Sequence, residues 1–335
     1  MRKVLVVGGA GYIGSHMVRL LVEAGRGVVV FDNFSQGHRA AVAGVEVFEG
    51  DLMSPDDLAA AFDTYDIEAV IHFAALISVG DSVTDPASYY RNNVTGTLNL
   101  LDAMRAAGVN KLVFSSTAAV FGNPLTEKLA EDHPLAPINP YGWSKRMVEQ
   151  VLADMAHAWG LNSVALRYFN ASGAHPSGEI GEAHDPETHL VPVVLLAAMG
   201  LRTALKLFGD DYDTPDGTCI RDYIHVCDLA SAHLKALDYI DTAPGAHAFN
   251  LGNGAGFSNQ EVVEAARRVT GKELPVEIAP RRAGDPARLV ADSTRAREVL
   301  GWTPEHPDLD SIIQSAWDWH QNPSYGPFAH KRLTI

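Results

Sequence analysis

Tyr141 and Lys145 stand four residues apart in Tyr-Gly-Trp-Ser-Lys, opening a stretch with helical apolar spacing that runs to Trp159. At that spacing both side chains lie on one helix face. A free tyrosine has a pKa of about 10 and is a poor base at neutral pH. A nearby ammonium favours the phenolate, and a cationic ring beside it would favour it further. The pair is therefore a candidate for taking the proton of an alcohol, although many surface helices carry one without function. Upstream, Lys111-Leu112-Val113-Phe114 runs into Ser115-Ser116-Thr117. Those hydroxyls reach the C-terminal edge of a strand, and open α/β sheets bind their ligands along that edge.

Taking a proton oxidises an alcohol only if something accepts the hydride. Gly8-Gly9-Ala10-Gly11-Tyr12-Ile13-Gly14 joins the β-branched run Val4–Val7 to a stretch with Ile13, Met17, Leu20 and Leu21 at helical spacing. Glycines at 8, 11 and 14 permit a tight turn, close approach to a pyrophosphate and tight packing of helix on sheet. The helix N-terminus adds unpaired N–H groups and a partial positive charge. Glycines alone also suit an ordinary turn. Asp32, at the tip of the run Val28–Phe31, adds the missing element. A carboxylate there accepts from both hydroxyls of an adenosine ribose and repels a 2′-phosphate, which favours NAD over NADP. Asp51-Leu52, after another strand-like stretch, is placed to border the adenine. Lys145 is also placed to hydrogen-bond the nicotinamide ribose.

These residues need a scaffold, and the first half of the chain supplies its pattern. Short β-branched runs at Val4–Val7, Val28–Phe31, Ala69–Phe73 and Lys111–Phe114 alternate with helical stretches. Ser54-Pro55 opens one helix, with serine as cap and proline in the first turn, and Asp85-Pro86 opens another that runs to about Ala107. Strand and helix alternating at this pitch predict an α/β fold, a doubly wound parallel Rossmann sheet. After Leu166-Arg167-Tyr168-Phe169 the texture changes. Residues 170–190 read as a long, functional loop, and Asp228 to Ile240 as a helix. The expected division is an NAD-binding domain over 1–171, with 221–249 returning to it, and a smaller, discontinuous mixed α/β substrate domain over 172–335. Asn322 onward reads as a turn-rich end.

Composition narrows the function classes. The 335 residues are 47% hydrophobic and 20% charged, a globular composition. With 26 basic against 41 acidic residues, the net charge of -15 argues against nucleic acid and against a polybasic membrane patch. The longest apolar run, Val191 to Met199, falls far short of the ~20 residues of a spanning helix. Two cysteines, Cys219 and Cys227, without CxxC spacing, and no visible signal peptide lead to the expectation of a cytoplasmic protein with inert thiols. His175, His184 and His189 share the long loop without a hydrolase-type metal motif and are expected to be solvated or hydrogen-bonded, so no metal is expected.

Several stretches are more specific than the glycines. They are Gly-Tyr-Ile-Gly-Ser-His (11–16), Tyr-Tyr-Arg-Asn-Asn-Val-Thr-Gly-Thr (89–97), Leu-Arg-Tyr-Phe-Asn (166–170), Gly-Ala-His-Pro-Ser-Gly (173–178) and Asp-Gly-Thr-Cys-Ile-Arg-Asp-Tyr-Ile-His-Val (216–226). On them the chain, from Gly8 to about Trp319, resembles the extended short-chain dehydrogenase/reductases, and among these the UDP-glucose 4-epimerase family. The resemblance implies reversible C4 epimerisation of UDP-glucose and UDP-galactose through a 4-keto sugar, with a tightly held NAD that is not consumed. It implies Thr117, Tyr141 and Lys145 as catalytic residues. It implies cofactor contacts at Gly8, Gly11, Tyr12, Ile13, Gly14, Asp32, Asn33, Asp51, Leu52, Phe73, Ala74, Asn93 and Tyr168. It implies a UDP-sugar pocket of Asn170, Leu190, Phe208, Arg221, Tyr223, Arg282, Asp285 and Leu289, with Thr117 at its catalytic end. A homodimer is implied as well, with helices at about 87–107 and 141–159 as contact surfaces.

The chain departs from the family pattern in places. Val7 stands where relatives usually carry threonine, and Ile77 where some place a lysine toward the cofactor phosphates, which bears on NAD retention. Leu289 falls where residue size gates the sugar pocket and leaves N-acetylated sugars open. A 4,6-dehydratase lacks its acid–base pair here, because Thr117 is followed by Ala118-Ala119. A UDP-pentose epimerase would keep the same catalytic residues and differ only in pocket size, and a glucuronate epimerase would want basic or hydrogen-bonding groups around a C6 carboxylate. A non-catalytic NAD-binding regulator would need the glycines and Asp32 but not Thr117, Tyr141 and Lys145 together. Because both expected ligands are diphosphates, the acidic excess is expected on the outer surface and the cleft is expected to be locally positive.

Overall fold

A computed structural model describes residues 2–202, 204–282 and 285–329; the final stretch of the turn-rich end, 330–335, lies outside them. The chain begins β1 (Lys3–Val7), α1 (Tyr12–Glu23), β2 (Gly27–Asp32), β3 (Glu46–Glu49), α2 (Pro55–Thr64), β4 (Ile67–His72). It continues through short α3 (Val79–Thr84) and α4 (Pro86–Tyr89) to α5 (Gly96–Ala106), β5 (Lys111–Thr117), α6 (Pro140–Trp159) and β6 (Asn162–Tyr168). The helix expected from Asp85 to Ala107 has a six-residue π-helical segment, Tyr90–Thr95, between α4 and α5. Such widened turns recur at functional sites, because they re-aim side chains.

Beyond β6 come β7 (Asn170–Ser172), α7 (Leu190–Ala198), β8 (Leu205–Phe208), β9 (Ile220–Arg221), β10 (Tyr223–His225) and α8 (Val226–Ile240). The chain closes with β11 (Ala246–Leu251), β12 (Phe257–Ser258), α9 (Asn259–Thr270), β13 (Val276–Ala279), β14 (Arg288–Leu289), α10 (Thr294–Leu300) and α11 (Leu309–Gln321). The main sheet has seven parallel strands in the order β3-β2-β1-β4-β5-β6-β11, with β11 laid beside β6. Chain direction across the sheet reverses between β1 and β4, the switch point where open α/β sheets hold ligands.

Alternation along the strands builds the core. Val4, Val6, Val28, Val30 and Ile71 pack on one face against Met17, Val18 and Leu21 of α1 and Leu229 and Ala236 of α8. Leu5, Val7, Val29, Phe31 and Val70 pack on the other face against Leu58 of α2, Leu100 and Met104 of α5, and Val148 and Leu152 of α6. The doubly wound α/β fold is what the sequence predicts. A separate apolar cluster joins α7, α9 and α11 with Leu205 and Leu207 of β8. Among the described residues no helix is long and apolar enough to cross a membrane.

Candidate active site

The catalytic candidates converge at the C-terminal end of β5. Asn139 caps α6 by accepting from the Gly142 N–H at 2.8 Å, and Pro140 occupies the first turn. The cap fixes where the helix starts and so sets Tyr141 at its mouth. Thr117 ends β5, and its hydroxyl accepts from the Ala119 N–H at 3.2 Å. Burial pushes the Tyr141 phenol above its ordinary value, and the nearby Thr117 hydroxyl pulls the other way. Lys145, 2% exposed, donates to the Ser115 carbonyl at 2.9 Å with its ammonium 4.8 Å from the Phe114 ring centre. Burial pulls this lysine down to about 7, opposed by the Glu149 carboxylate.

One of the three N–H donors of the Lys145 ammonium is used by the Ser115 carbonyl, which fixes the side chain on the face it shares with Tyr141.

The dinucleotide candidates meet at the β1–β4 switch point. Asp32, 7% exposed, accepts from Ala10 N–H at 2.9 Å and Phe34 N–H at 2.8 Å, which ties the glycine loop to the end of β2. Burial lifts its carboxyl above the ordinary range while these two amides hold it down. Asn33 donates to Asp51 at 2.9 Å, and Leu52 accepts from Asn99 at 2.9 Å, so the expected adenine border is one connected group. Phe73 packs 4.7 Å from the His233 ring, and Ala74 donates to the Val7 carbonyl at 3.1 Å. The Val7 side chain is buried in the core, so the threonine position of relatives is filled here by packing. Asn93, in the π-helical segment, accepts from Leu76 N–H at 2.8 Å and donates to Ser144 at 3.0 Å, which locks the loop after β4 to α6. Tyr168 pairs with Ser115 through their hydroxyls.

These residues fit a dinucleotide. Helix α1 starts at Gly11 with no side-chain cap, which leaves the N–H groups of Tyr12, Ile13 and Gly14 without intrahelical partners. A Cβ on Gly14 would lie 2.2 Å from the Gly8 oxygen, and one on Gly8, at φ +77, would lie 2.5 Å from the Ala74 nitrogen. Only glycine permits this close-drawn loop over an uncapped helix end. Tyr12 itself turns its hydroxyl to the Gly173 carbonyl at 2.6 Å, so the loop after β7 is anchored on the glycine loop.

A model of the NAD dependent epimerase/dehydratase family matches residues 4–252. The chain belongs to that family. It is 50% identical over 323 residues to the UDP-glucose 4-epimerase of Halalkalibacterium halodurans, covering 96% of this chain and 97% of that protein. The crystal structure of UDP-glucose 4-epimerase from Brucella ovis in complex with NAD superposes with a TM-score of 0.92 at 51% identity, over 95% of this chain and 98% of that one. The enzyme from Bifidobacterium longum in complex with NAD+ and UDP gives 0.91 at 40% identity, again over 95% and 98%.

The expected substrate residues of this epimerase/dehydratase-family site fall into two groups. In the first, Arg221 donates to the Ile220 and Pro286 carbonyls at 2.9 Å each and meets Asp285 at 3.5 Å. Asp285 donates its N–H to the Arg282 carbonyl at 3.3 Å, and the Arg282 guanidinium lies 4.0 Å over the Phe208 ring. Leu289 is in register with Arg221 and packs in the cluster containing Ala118 and Phe121, just past Thr117. In the second group Asn170 is in register with Tyr223, while Tyr223 and Leu190 pack in the apolar core of the α7–α9–α11 region. Tyr223, 3% exposed, is foremost a core residue.

Some residues that shape the site carry weak sequence signals. Glu149 and Arg167 form a buried two-pronged ion pair beneath Lys145, and Ser116 also donates to Glu149 at 2.6 Å. The signal available was the Lys145–Glu149 spacing on one helix face. Asp222, next to Arg221 in the chain, is fully buried. It accepts from the N–H groups of Asn253, Gly254 and Ala291 and so organises the two loops that carry them. The partner of Arg221 is Asp285, because Asp222 points inward from a buried turn. Burial pushes the Cys227 thiol up to about 12, as befits an inert thiol. His175 is hydrogen-bonded to Ser177, but His184 and His189 are neither isolated nor simply solvated: they face Glu182 and Glu187.

Proposed function

We infer that this chain interconverts UDP-glucose and UDP-galactose by reversible oxidation at C4, using a tightly held NAD. The observation that carries the reading is the convergence of Thr117, Tyr141 and the buried Lys145 at the C-terminal end of β5, beside a glycine loop built for a dinucleotide. Bound there, NAD supplies the hydride acceptor and returns the hydride. Tyr141 takes the proton of the C4 hydroxyl as that hydride leaves and gives it back when the ketone is reduced. Thr117 orients both hydroxyls, and Lys145 lies where it can hold the nicotinamide ribose. No net redox occurs, so one cofactor serves many turnovers.

The pocket residues support a grip on the nucleotide rather than the sugar. A sugar that must present both faces cannot be held tightly. Arg221 and Arg282 offer planar donors to a diphosphate, and Phe208 offers a ring face for uracil once Arg282 moves toward the phosphates. UDP-pentose, UDP-glucuronate and UDP-N-acetylhexosamine would use the same proton chemistry, and the size of Leu289 bears on whether the N-acetylated sugar fits. We place the enzyme in the cytoplasm as a homodimer. Support for the dimer is an apolar patch of Trp143 and Met147, one turn apart and exposed on α6, beside exposed Val79 and Val83 of α3.

The test uses purified protein with no added nucleotide cofactor. UDP-galactose should be converted to UDP-glucose, and released NAD should be found on denaturation. Absence of conversion even with NAD supplied would refute the function. Parallel assays with UDP-N-acetylgalactosamine and UDP-arabinose rank the substrates.

A further inference from the structure

The loop between β7 and α7 carries a side-chain set that the epimerase chemistry does not use. Glu182, His184, Glu187 and His189 follow one another as Glu-x-His-x-x-Glu-x-His, and one ligand atom from each lies within 4.8 Å of all the others. The cross-distances run from 2.7 to 3.6 Å, bracketing the edges of a coordination shell. His184 Nδ1 is 3.1 Å from Glu182 Oε1 and 3.6 Å from Glu187 Oε2. His189 Nδ1 is 2.7 Å from Glu182 Oε1 and 3.4 Å from Glu187 Oε1. A tetrahedral ion with ligands at about 2.0–2.1 Å has ligand–ligand edges of roughly 3.3–3.4 Å.

The angles point the same way as the distances. Glu182 Oε1 and His184 Nδ1 are buried, within hydrogen-bond range of neighbours, yet neither makes a hydrogen bond of acceptable geometry. The carboxylates sit deep, at 4% exposed for Glu182 and 7% for Glu187.

The set is also held in place by its surroundings. Trp319 Nε1 donates to the Glu182 carbonyl at 2.9 Å, and Glu187 Oε1 accepts from the N–H groups of Thr188 and His189 at 2.8 and 2.9 Å. Arg202 donates to the Glu187 carbonyl at 2.8 Å, and the Tyr12 ring stands edge-on to His184 at 6.3 Å. Outer partners of this kind orient metal ligands.

We propose that Glu182, His184, Glu187 and His189 bind one divalent transition metal of the zinc type, as a structural clip that closes the 182–189 segment on itself where it packs beside α11 and Tyr12. Two carboxylates and two neutral imidazoles balance the charge of one divalent ion, and this donor set suits zinc. Four protein ligands leave no position for a substrate, so the role is structural. The competing arrangement is a pair of histidine–glutamate ion pairs with no metal.

The experiment uses the untagged holoenzyme, treated with chelator, re-equilibrated with zinc chloride and desalted. About one zinc per chain should be retained. The melting temperature should rise by several degrees over the chelated form, and proteolysis of the 173–189 loop should slow. The chelated wild-type protein with cobalt(II) should show the intense visible absorption of a tetrahedral site. His184→Ala and His189→Ala should each weaken zinc binding at least about 100-fold, at or beyond the upper end of what loss of outer partners causes. The cobalt spectrum needs no variant, so it decides even if a variant fails to fold. Wild-type protein that retains no zinc and gives a featureless cobalt spectrum carries ion pairs only, which overturns the proposal. Zinc retained equally by both folded variants lies elsewhere and overturns it too.

Discussion

Arg167 grips Glu149 with both ends of its guanidinium, Nε to Oε1 at 2.9 Å and Nη2 to Oε2 at 2.8 Å, with each side chain only 6% exposed. The pair joins β6 to α6 directly beneath Lys145, so it sets the distance between strand and catalytic helix. Breaking a buried pair from one side strands a charge and costs about 3–5 kcal/mol, whereas replacing both partners by apolar groups is often neutral. Glu149→Ala should therefore lower unfolding stability by about that amount. Glu149→Leu with Arg167→Met should recover most of it, as measured by denaturant titration. Equal stability of the single and double variants would show that the pair does not act as a unit.

Tyr141 and Thr117 make a separable prediction about rate. Tyr141→Phe removes the acid–base oxygen and should lower kcat by about 10²–10⁴-fold, the range typical of such groups, while UDP binding survives. Thr117→Val keeps the phenol but deletes the nearby hydroxyl that holds its pKa down. Because the base must be unprotonated, the acidic limb of the kcat–pH profile should move to higher pH in that variant. A profile unchanged in position would remove Thr117 from any role in tuning Tyr141.

Lys145 gives a prediction in stability. Its pKa falls from 10.5 to about 7 in the folded, cofactor-free chain, chiefly through burial. Between those values the unfolded chain holds a proton that the folded one has released, so stability rises with pH across about 7 to 10.5. Below about 7 both states are charged, and the full penalty of burying the ammonium applies. Wild-type protein stripped of NAD should thus gain stability relative to Lys145→Met as pH is raised from 7 to 9. A pH-independent difference between the two would mean that the lysine stays charged throughout.

The parts legible in the sequence were those set by short-range rules. Alternating apolar runs marked β1, β2, β4 and β5, and Gly8 to Gly14 marked the uncapped start of α1, because period and turn chemistry are local. Asn139 and Pro140 likewise mark where α6 must begin. The rest depends on residues far apart in the chain. The π-helical segment at Tyr90–Thr95 has no compositional mark; Asn93 within it meets Leu76 and Ser144 only after folding. Asp222 follows Arg221 in the chain, and only the packing of two distant loops around its carboxylate buries it. The histidines of the long loop match no metal motif in the sequence, and it is a fold of the chain that brings Glu182 and Glu187 against His184 and His189. The spacing along the helix puts the Lys145 ammonium on the face of Tyr141, and only the fold shows that the Ser115 carbonyl anchors it there.

Leu289 carries the prediction about specificity. It pairs in register with Arg221, a proposed phosphate ligand, and packs with Ala118 and Phe121 beyond Thr117, the proposed catalytic hydroxyl. It therefore spans the gap between where the diphosphate and the reacting carbon of the sugar are expected, and a shorter side chain there enlarges the space beside the hexose. Leu289→Ala should raise kcat/KM for UDP-N-acetylgalactosamine relative to UDP-galactose, since an acetamido group needs room that the isobutyl group fills. A change of about tenfold in that ratio corresponds to about 1.4 kcal/mol, within the range that a few methylenes contribute in an apolar pocket. The side chain is only half-buried, so the loss of stability should be smaller than for a core leucine, and thermal melts of the variant separate that loss from the change in selectivity. If the substrate ratio stays constant while UDP affinity falls, Leu289 supports the Arg221 strand instead of gating the sugar.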